Sequence, residues 1–553
     1  MSLDIFRGIF AGLLFIIGLT LWNDWQAAHP QTDHAQSTSI SNTLNANNAA
    51  APSAISAASS SQTESNILQI NANTRNKNLI SVHTDVLDLK IDPIGGALVH
   101  AALLHYPNSL QDSSPFVLFN KKSSEFYTAQ SGLISPQGPD YQESAVYQSH
   151  STDYNLDPKS DQLIVPLTWQ HNGLTVNKTF VFTRGSYLIH VLFKINNQSQ
   201  QVWQGQLYAQ LKHTSQVNHT NNGFLQMNPF TGAVLSSPEK RYTKFSYPDL
   251  SKTPINQTIM NGWMAIEQHY FISAWIPNPN ENFQYSSQLF DNNNLYAINL
   301  LGSNLNVLPG QEKNIELKLY VGPSIAKKLE QIAPGLNLTV DYGFLWPIGT
   351  VLFWLLDHIY DFVGNWGWSI VLLTLLIKLC FFQLTASSFK SMAAMRELQP
   401  QLQQIKERYG DDKQKVGQMT MELYKKEKIN PMGGCLPFLI QIPVFLALYW
   451  VLFESVELRQ APFILWIHDL SLPDPFFVLP ILMGLTMFIQ QKISPASMDP
   501  TQAKIMLMMP LVMTFFFLNF PAGLVLYWVV SNTISILQQW IVSKTYHAKS
   551  KKV

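Results

Sequence analysis

The spacing of apolar and polar positions divides this chain into zones that must fold by different rules. Arg7 is followed by an apolar run to Trp22, with Trp22 and Trp25 where an aromatic belt would meet water. Residues 1–25 therefore read as an N-terminal membrane anchor. A cleaved signal peptide is the competing reading, because Ala27 and Ala28 follow. The apolar run is long for a signal core, however, and Asn23-Asp24 intervenes. Residues 26–66 are dominated by Ser, Ala, Asn, Gln and Thr, too little apolar surface to bury a core, and they read as a flexible tether. Over residues 67–335 the period changes to two: runs such as KTFVFT and YLIHVLFKI are separated by turn residues, here Arg184-Gly185-Ser186. That pattern predicts one large all-β sandwich.

Beyond Gly335 the period becomes helical. In residues 336–365, Leu352, Leu355, Ile359 and Phe362 recur at helical spacing, while Asp357, His358 and Asp361 break the apolar run. The run is too short to cross about 30 Å of hydrocarbon, so it reads as an amphipathic helix lying in the interface. A core helix of the β domain is the alternative. Residues 366–542 then hold five apolar spans, at Trp366–Leu384, Cys435–Phe453, Pro475–Gln490, Ile505–Phe520 and Gly523–Val542. The third and fourth are about 24 Å long as helices, which predicts a thinned bilayer beside them. Between the first two spans, residues 385–432 carry Met392, Met395, Leu398, Leu402, Ile405 and Tyr409, then Gly410-Asp411-Asp412, then Val416, Met419 and Leu423. This predicts an antiparallel helical hairpin closed at Asn430–Gly434, with Pro400 kinking its first helix. The predicted fold is a polytopic α-helical membrane protein of six transmembrane helices with a large all-β domain.

Composition supports a membrane class: 46% of residues are hydrophobic and 13% charged, about half the usual charge. The formal net charge is zero, which gives no global field toward nucleic acid, and no sequence-specific nucleic-acid binding is expected. Placement carries more information than the sum. Residues 385–432 include Lys390, Arg396, Lys406, Arg408, Lys413, Lys415, Lys425, Lys426 and Lys428; Lys492 and Lys504 precede the fourth span; the tail 543–553 adds Lys544, Lys549, Lys551 and Lys552. The segment 457–474 opposite has Arg459 as its one arginine or lysine. By the positive-inside rule the first group is cytoplasmic, both termini are cytoplasmic and the β domain is periplasmic. The two cysteines, Cys380 and Cys435, form no CxxC or zinc spacing, and no GxxxxGK[ST] loop is present. Neither cofactor, metal nor covalent catalysis is expected.

Lys378 is the single charge embedded in the spans. Thr374 lies one turn away, and other spans contribute Gln441, Thr486 with Gln490, and Tyr527 with Ser531 and Ser535. With Glu454 near the opposite end, no carboxylate is at hand to neutralise the lysine. A cation among hydroxyl and amide groups predicts a wet, positively biased cavity open to the cytoplasm. The competing account is snorkelling, since Lys378 is about 9 Å from the cytoplasmic end of its span. Met483, Met487, Met506, Met508, Met509 and Met513 form a flexible apolar surface, or simply fill the core.

The segments FVGNWGWSI, GDDKQK, NPMGGCLPFLIQIPVFLALYW and FPAGLVLYWVVSN, with IDPIGGAL, FTRGSYLIHV and LYVGPS upstream, resemble the YidC family of membrane insertases in its Gram-negative form. The resemblance implies a periplasmic β-supersandwich and a hydrophilic groove closed toward the periplasm. It implies insertion and folding of nascent integral membrane proteins in the inner membrane, alone or with the Sec translocon (SecYEG, SecDF). The ribosome would be met by the hairpin and basic tail. Family groove contacts map onto Lys378, Thr374, Asn519, Tyr527 and Trp528, beside Gln441 and Ser531 from the polar pattern. The family's usual groove cation is arginine, so Lys378 keeps the charge and loses the bidentate fork. Asn519 stands where an aromatic is familiar. Two rival classes are an ion-coupled transporter using Lys378 and a membrane-anchored, sugar-binding or epimerase-like enzyme.

Overall fold

The computed structural model describes residues 79–550 except 123–124, 142, 216–228, 291–293, 411, 428–435 and 494–499. The expected anchor (1–25), tether (26–66) and hairpin closure at Asn430–Gly434 lie outside the described residues.

Period-two patterning becomes two packed sheets, one of ten strands and one of nine. In the strand Leu174–Thr183 every second side chain is buried, beginning with Leu174. Its neighbour Leu188–Asn197 is paired antiparallel on both edges, with Val191 opposite Phe180 on one side and Leu317 on the other. In the ten-stranded sheet, Trp203–Thr214 runs antiparallel between Tyr127–Ile134 and Leu295–Val307. Trp203, Trp263, Trp275 and Phe180 fill the space between the sheets. Full burial of a side chain such as Phe180 contributes roughly 1.5–3 kcal/mol.

One inward position breaks the apolar rule. Lys178 is fully buried, and its Nζ crosses from the nine-stranded sheet to donate to the carbonyls of Ser131 (2.6 Å), Gly96 (2.8 Å) and Gly95 (3.1 Å). Gly96 has a left-handed φ of 57°, and a Cβ there would stand 3.1 Å from Lys178 Nζ. Gly96 of IDPIGGAL is thus explained by the approach of a buried ammonium, and Gly95 by its own left-handed φ of 73°. Burial depresses the Lys178 pKa, and the nearby carboxylate of Asp140 opposes that shift. Asp140 is itself held by the backbone N–H groups of Ala145 and Leu133.

The helical region begins with α1 (Trp346–Val363), which ends at Gly364 in the left-handed conformation. Gly349, Leu352 and Leu356 are buried, and Leu355 and Ile359 pack partly against the core, while Phe362 at the end of that line is 91% exposed. The outward face carries the apolar Trp346, Val351 and Trp354. Helices α2 (Trp366–Cys380) and α3 (Phe382–Glu397) meet at a 67° bend. The single straight span expected over Trp366–Leu384 is therefore divided. Gln538 Nε2 donates to the carbonyl of Phe382 (3.0 Å) and to Thr385 Oγ1 (2.7 Å), satisfying backbone at the elbow. Pro400 does not kink a helix. It sits in the first turn of α4 (Gln399–Tyr409), where its missing N–H costs nothing, and the chain breaks before it at Leu398. Asp412 caps α5 (Lys413–Lys426) by accepting from Lys415 N at 3.0 Å.

Four more helices follow: α6 (Leu436–Glu454), α7 (Val478–Ile493), α8 (Pro500–Phe517) and α9 (Ala522–Ser550). Among the described residues, α9 alone is long and apolar enough to cross a membrane by itself, and α2 with α3 qualifies as a bent pair. The β domain rests against the segment after α6. Arg459 Nη2 donates to the carbonyls of Pro107 (2.8 Å) and Asn108 (2.9 Å), with its guanidinium over the rings of Phe116 and Phe271. His269 Nε2 lies 3.0 Å from the Phe453 carbonyl. The one arginine or lysine of that loop is thus used for docking.

Candidate functional site

Three helices bring the polar side chains of the spans together. Asn365 caps α2 by accepting from Trp368 N (3.0 Å), which starts the helix and places Lys378 in its last turn. Tyr527, Ser531 and Ser535 recur every four residues on α9, so they share one face. Gln441 comes from α6. Lys378 Nζ donates to Gln441 Oε1 (3.2 Å) and to Ser535 Oγ (2.8 Å), while Gln441 Nε2 donates to Ser531 Oγ (2.8 Å). The Tyr527 hydroxyl is within hydrogen-bonding reach of Gln441 and Ser531. Lys378 thus tethers α2 to α6 and α9 through neutral oxygens, and it does not snorkel free.

Beside this network is a small open cleft of about 30 Å³, lined by Ile377, Lys378, Phe381, Leu384, Thr385, Ile440, Gln441, Val444 and Tyr527. Its walls are mostly apolar, with Lys378 as the one cation among them. Among the described residues no carboxylate forms an ion pair with Lys378. Its charge is offset by oriented dipoles alone, an arrangement that leaves room for an incoming anionic or polar group.

The remaining sequence-predicted residues are placed apart from this network. Thr374 is 1% exposed, and its hydroxyl is committed to the Ile370 carbonyl of its own helix at 2.6 Å. Trp528 turns into an aromatic cluster, edge-on to Phe445 at 4.6 Å and near Phe517 at 5.0 Å. Asn519 is exposed in the turn between α8 and α9. Ser535, part of the polar pattern already read from spacing, is the hydroxyl that Lys378 meets. The structure adds residues not singled out: Gln538 with Thr385 at the elbow, and Asn532, which donates to Thr486 Oγ1 at 3.2 Å. Helical spacing from Ser531 was the available signal for Gln538.

A bundle of apolar helices with one embedded cation, carrying a two-sheet β domain, defines a helical membrane protein. Two family models match, the YidC periplasmic domain over residues 79–355 and the 60Kd inner membrane protein over residues 358–550. The chain is 45% identical to the membrane protein insertase YidC of Coxiella burnetii, over 100% of this chain and 98% of that one. It is 47% identical to the membrane protein insertase YidC of Legionella pneumophila strain Corby, over 98% of each. A solved structure of an active YidC insertase aligns with 84% of this chain and 92% of its own at 18% identity, with a TM-score of 0.38. The chain belongs to the YidC family of membrane protein insertases. These relatives lend no support to the transporter reading.

Proposed function

We infer that this protein is a membrane protein insertase of the bacterial inner membrane, acting on integral membrane proteins as its relatives' names indicate. The observation that carries the groove reading is Lys378 held between Gln441 and Ser535 at the edge of a cavity. A nascent chain's short polar terminus or loop enters there, and its apolar segment slides along the neighbouring helices. Burying an unpaired polar group costs several kcal/mol in hydrocarbon, of order 4–8 for an amide, and hydrogen-bonding groups in the cavity reduce that cost. Release of the apolar segment into lipid drives the process.

The proposed arrangement has six spans, with both termini cytoplasmic and the β domain periplasmic, as the distribution of lysine and arginine supports. Its parts are the anchor (1–25), tether (26–66), β domain (67–335), interfacial helix (336–365), five-span core (366–542) with its cytoplasmic hairpin (385–432), and basic tail (543–553). The groove opens toward the cytoplasm. The Sec translocon is the proposed membrane partner, and the hairpin and tail are the proposed ribosome contacts.

The test is site-specific photocrosslinking of a stalled membrane-protein client from positions 378, 441 and 527, with position 519 as comparison. Crosslinks concentrated at the first three support the groove. Crosslinks confined to the β domain would overturn it.

A further inference from the structure

The ammonium of Lys378 has three N–H donors, and the structure gives two of them acceptors, both neutral. The cleft beside it is walled on its apolar side by Phe381, Leu384, Ile440 and Val444, with Thr385, Gln441 and Tyr527 as its other polar lining. Phe381 and Leu384 are 36% and 38% exposed at the elbow between α2 and α3, so this wall reaches the outer surface of the bundle. A hydrated anion gains little from four apolar walls, and an apolar chain alone leaves the ammonium uncompensated. An amphiphile uses both features: its anionic oxygen accepts from Nζ while its chain removes the walls from water.

We propose that an anionic phospholipid is a resident ligand of this cavity when no client is bound. Its phosphate rests on Lys378, and the first part of one acyl chain lies along Leu384, Ile440 and Val444. A client's polar segment then enters by exchange with a lipid headgroup, and the ammonium is never left facing hydrocarbon. The proposal takes from the groove reading only that this side of the bundle faces lipid, and it holds whether or not clients use the cavity.

The full chain, purified in detergent, is exchanged with dioleoylphosphatidylglycerol, and retained lipid is counted by native mass spectrometry. Wild type and Lys378→Arg are expected to retain one lipid. Lys378→Met should lower retention about tenfold, the scale of one charge-assisted hydrogen bond. Val444→Trp, which fills the wall and leaves the cation in place, should lower it similarly. Equal retention of dioleoylphosphatidylcholine by wild type overturns the proposal. So does unchanged retention in both the Lys378→Met and Val444→Trp chains, or full displacement of the lipid by inorganic phosphate. Client insertion is measured in parallel on the same preparations. Lost insertion with intact lipid retention in these variants counts against the lipid proposal alone, and lost retention with intact insertion counts against the groove reading alone.

Discussion

Lys378 and Ser535 are separated by 157 positions in the chain, and their side chains meet at 2.8 Å between α2 and α9. The contact fixes the rotation of α9 about its axis, because Ser531 and Tyr527 then face Gln441. It also makes the embedded charge a structural tie as well as a candidate site. The two roles separate by substitution. Lys378→Arg keeps the charge and donors and is expected to sustain client insertion within about twofold, whereas Lys378→Ala should lower it by roughly tenfold or more, the loss of one to two charged hydrogen bonds. The measurement is insertion of a reporter client after depletion of the native protein. Equal activity of both variants would remove Lys378 from the mechanism.

Arg459 predicts how firmly the β domain is seated. Arg459→Ala removes two carbonyl hydrogen bonds and the stacking on Phe116 and Phe271, a loss of about 2–3 kcal/mol of docking. Hydrogen exchange over residues 105–116 should rise accordingly. Arg459→Lys is expected to recover little of the protection, since one ammonium does not reproduce the planar fork.

The cross-sheet lysine should matter more than any surface ion pair. Lys178→Met leaves three buried carbonyls unpaired and Asp140 without its nearby cation, at a cost of about 3–5 kcal/mol. Lys194→Met removes an exposed partner of Glu312 and should cost under about 1 kcal/mol. Denaturant unfolding of the two full-length variants compares them. A small effect at Lys178 would mean that water or a shifted backbone replaces the ammonium.

Glu267 makes the β domain sensitive to alkali. It is 2% exposed, accepts from the Tyr242 hydroxyl at 3.1 Å, and burial pushes its carboxyl up to about 8, with Lys244 opposing and Glu454 and Asp341 adding to the rise. A raised folded value means stability that is complete below the unfolded carboxylate value and lost as pH rises through about 8. Glu457, raised to about 7 by burial, acts in the same direction. His213 and His269, both lowered to about 4 by burial, destabilise as pH falls below their ordinary value, and Lys178, lowered to about 7, adds stability as pH rises above that value, so the Glu267 contribution is read as a difference between wild type and Glu267→Gln from about pH 6.5 to 8. Across that range Glu267→Gln should gain about 1–2 kcal/mol on wild type. A difference that does not change with pH would remove Glu267 as a source.

Apolar periodicity by itself determined much of this protein. The two-residue alternation from KTFVFT to YLIHVLFKI led to paired strands, and the polar break at Gly410–Asp412 led to a new helix capped by Asp412. The lone cation, and the groups around it at four-residue spacing, were also legible, because spacing reports which side chains share a face. Spacing does not report which faces meet. Only packing decided that Lys378 bonds Ser535 and Gln441, that Thr374 spends its hydroxyl on its own backbone, and that Trp528 turns into the aromatic cluster. The elbow at Phe381 depends on Gln538, some 156 residues away, and the buried lysine at 178 depends on glycines of the opposite sheet. Each of these is a hydrogen bond between distant segments, set by helix rotation and sheet spacing, which local sequence does not encode.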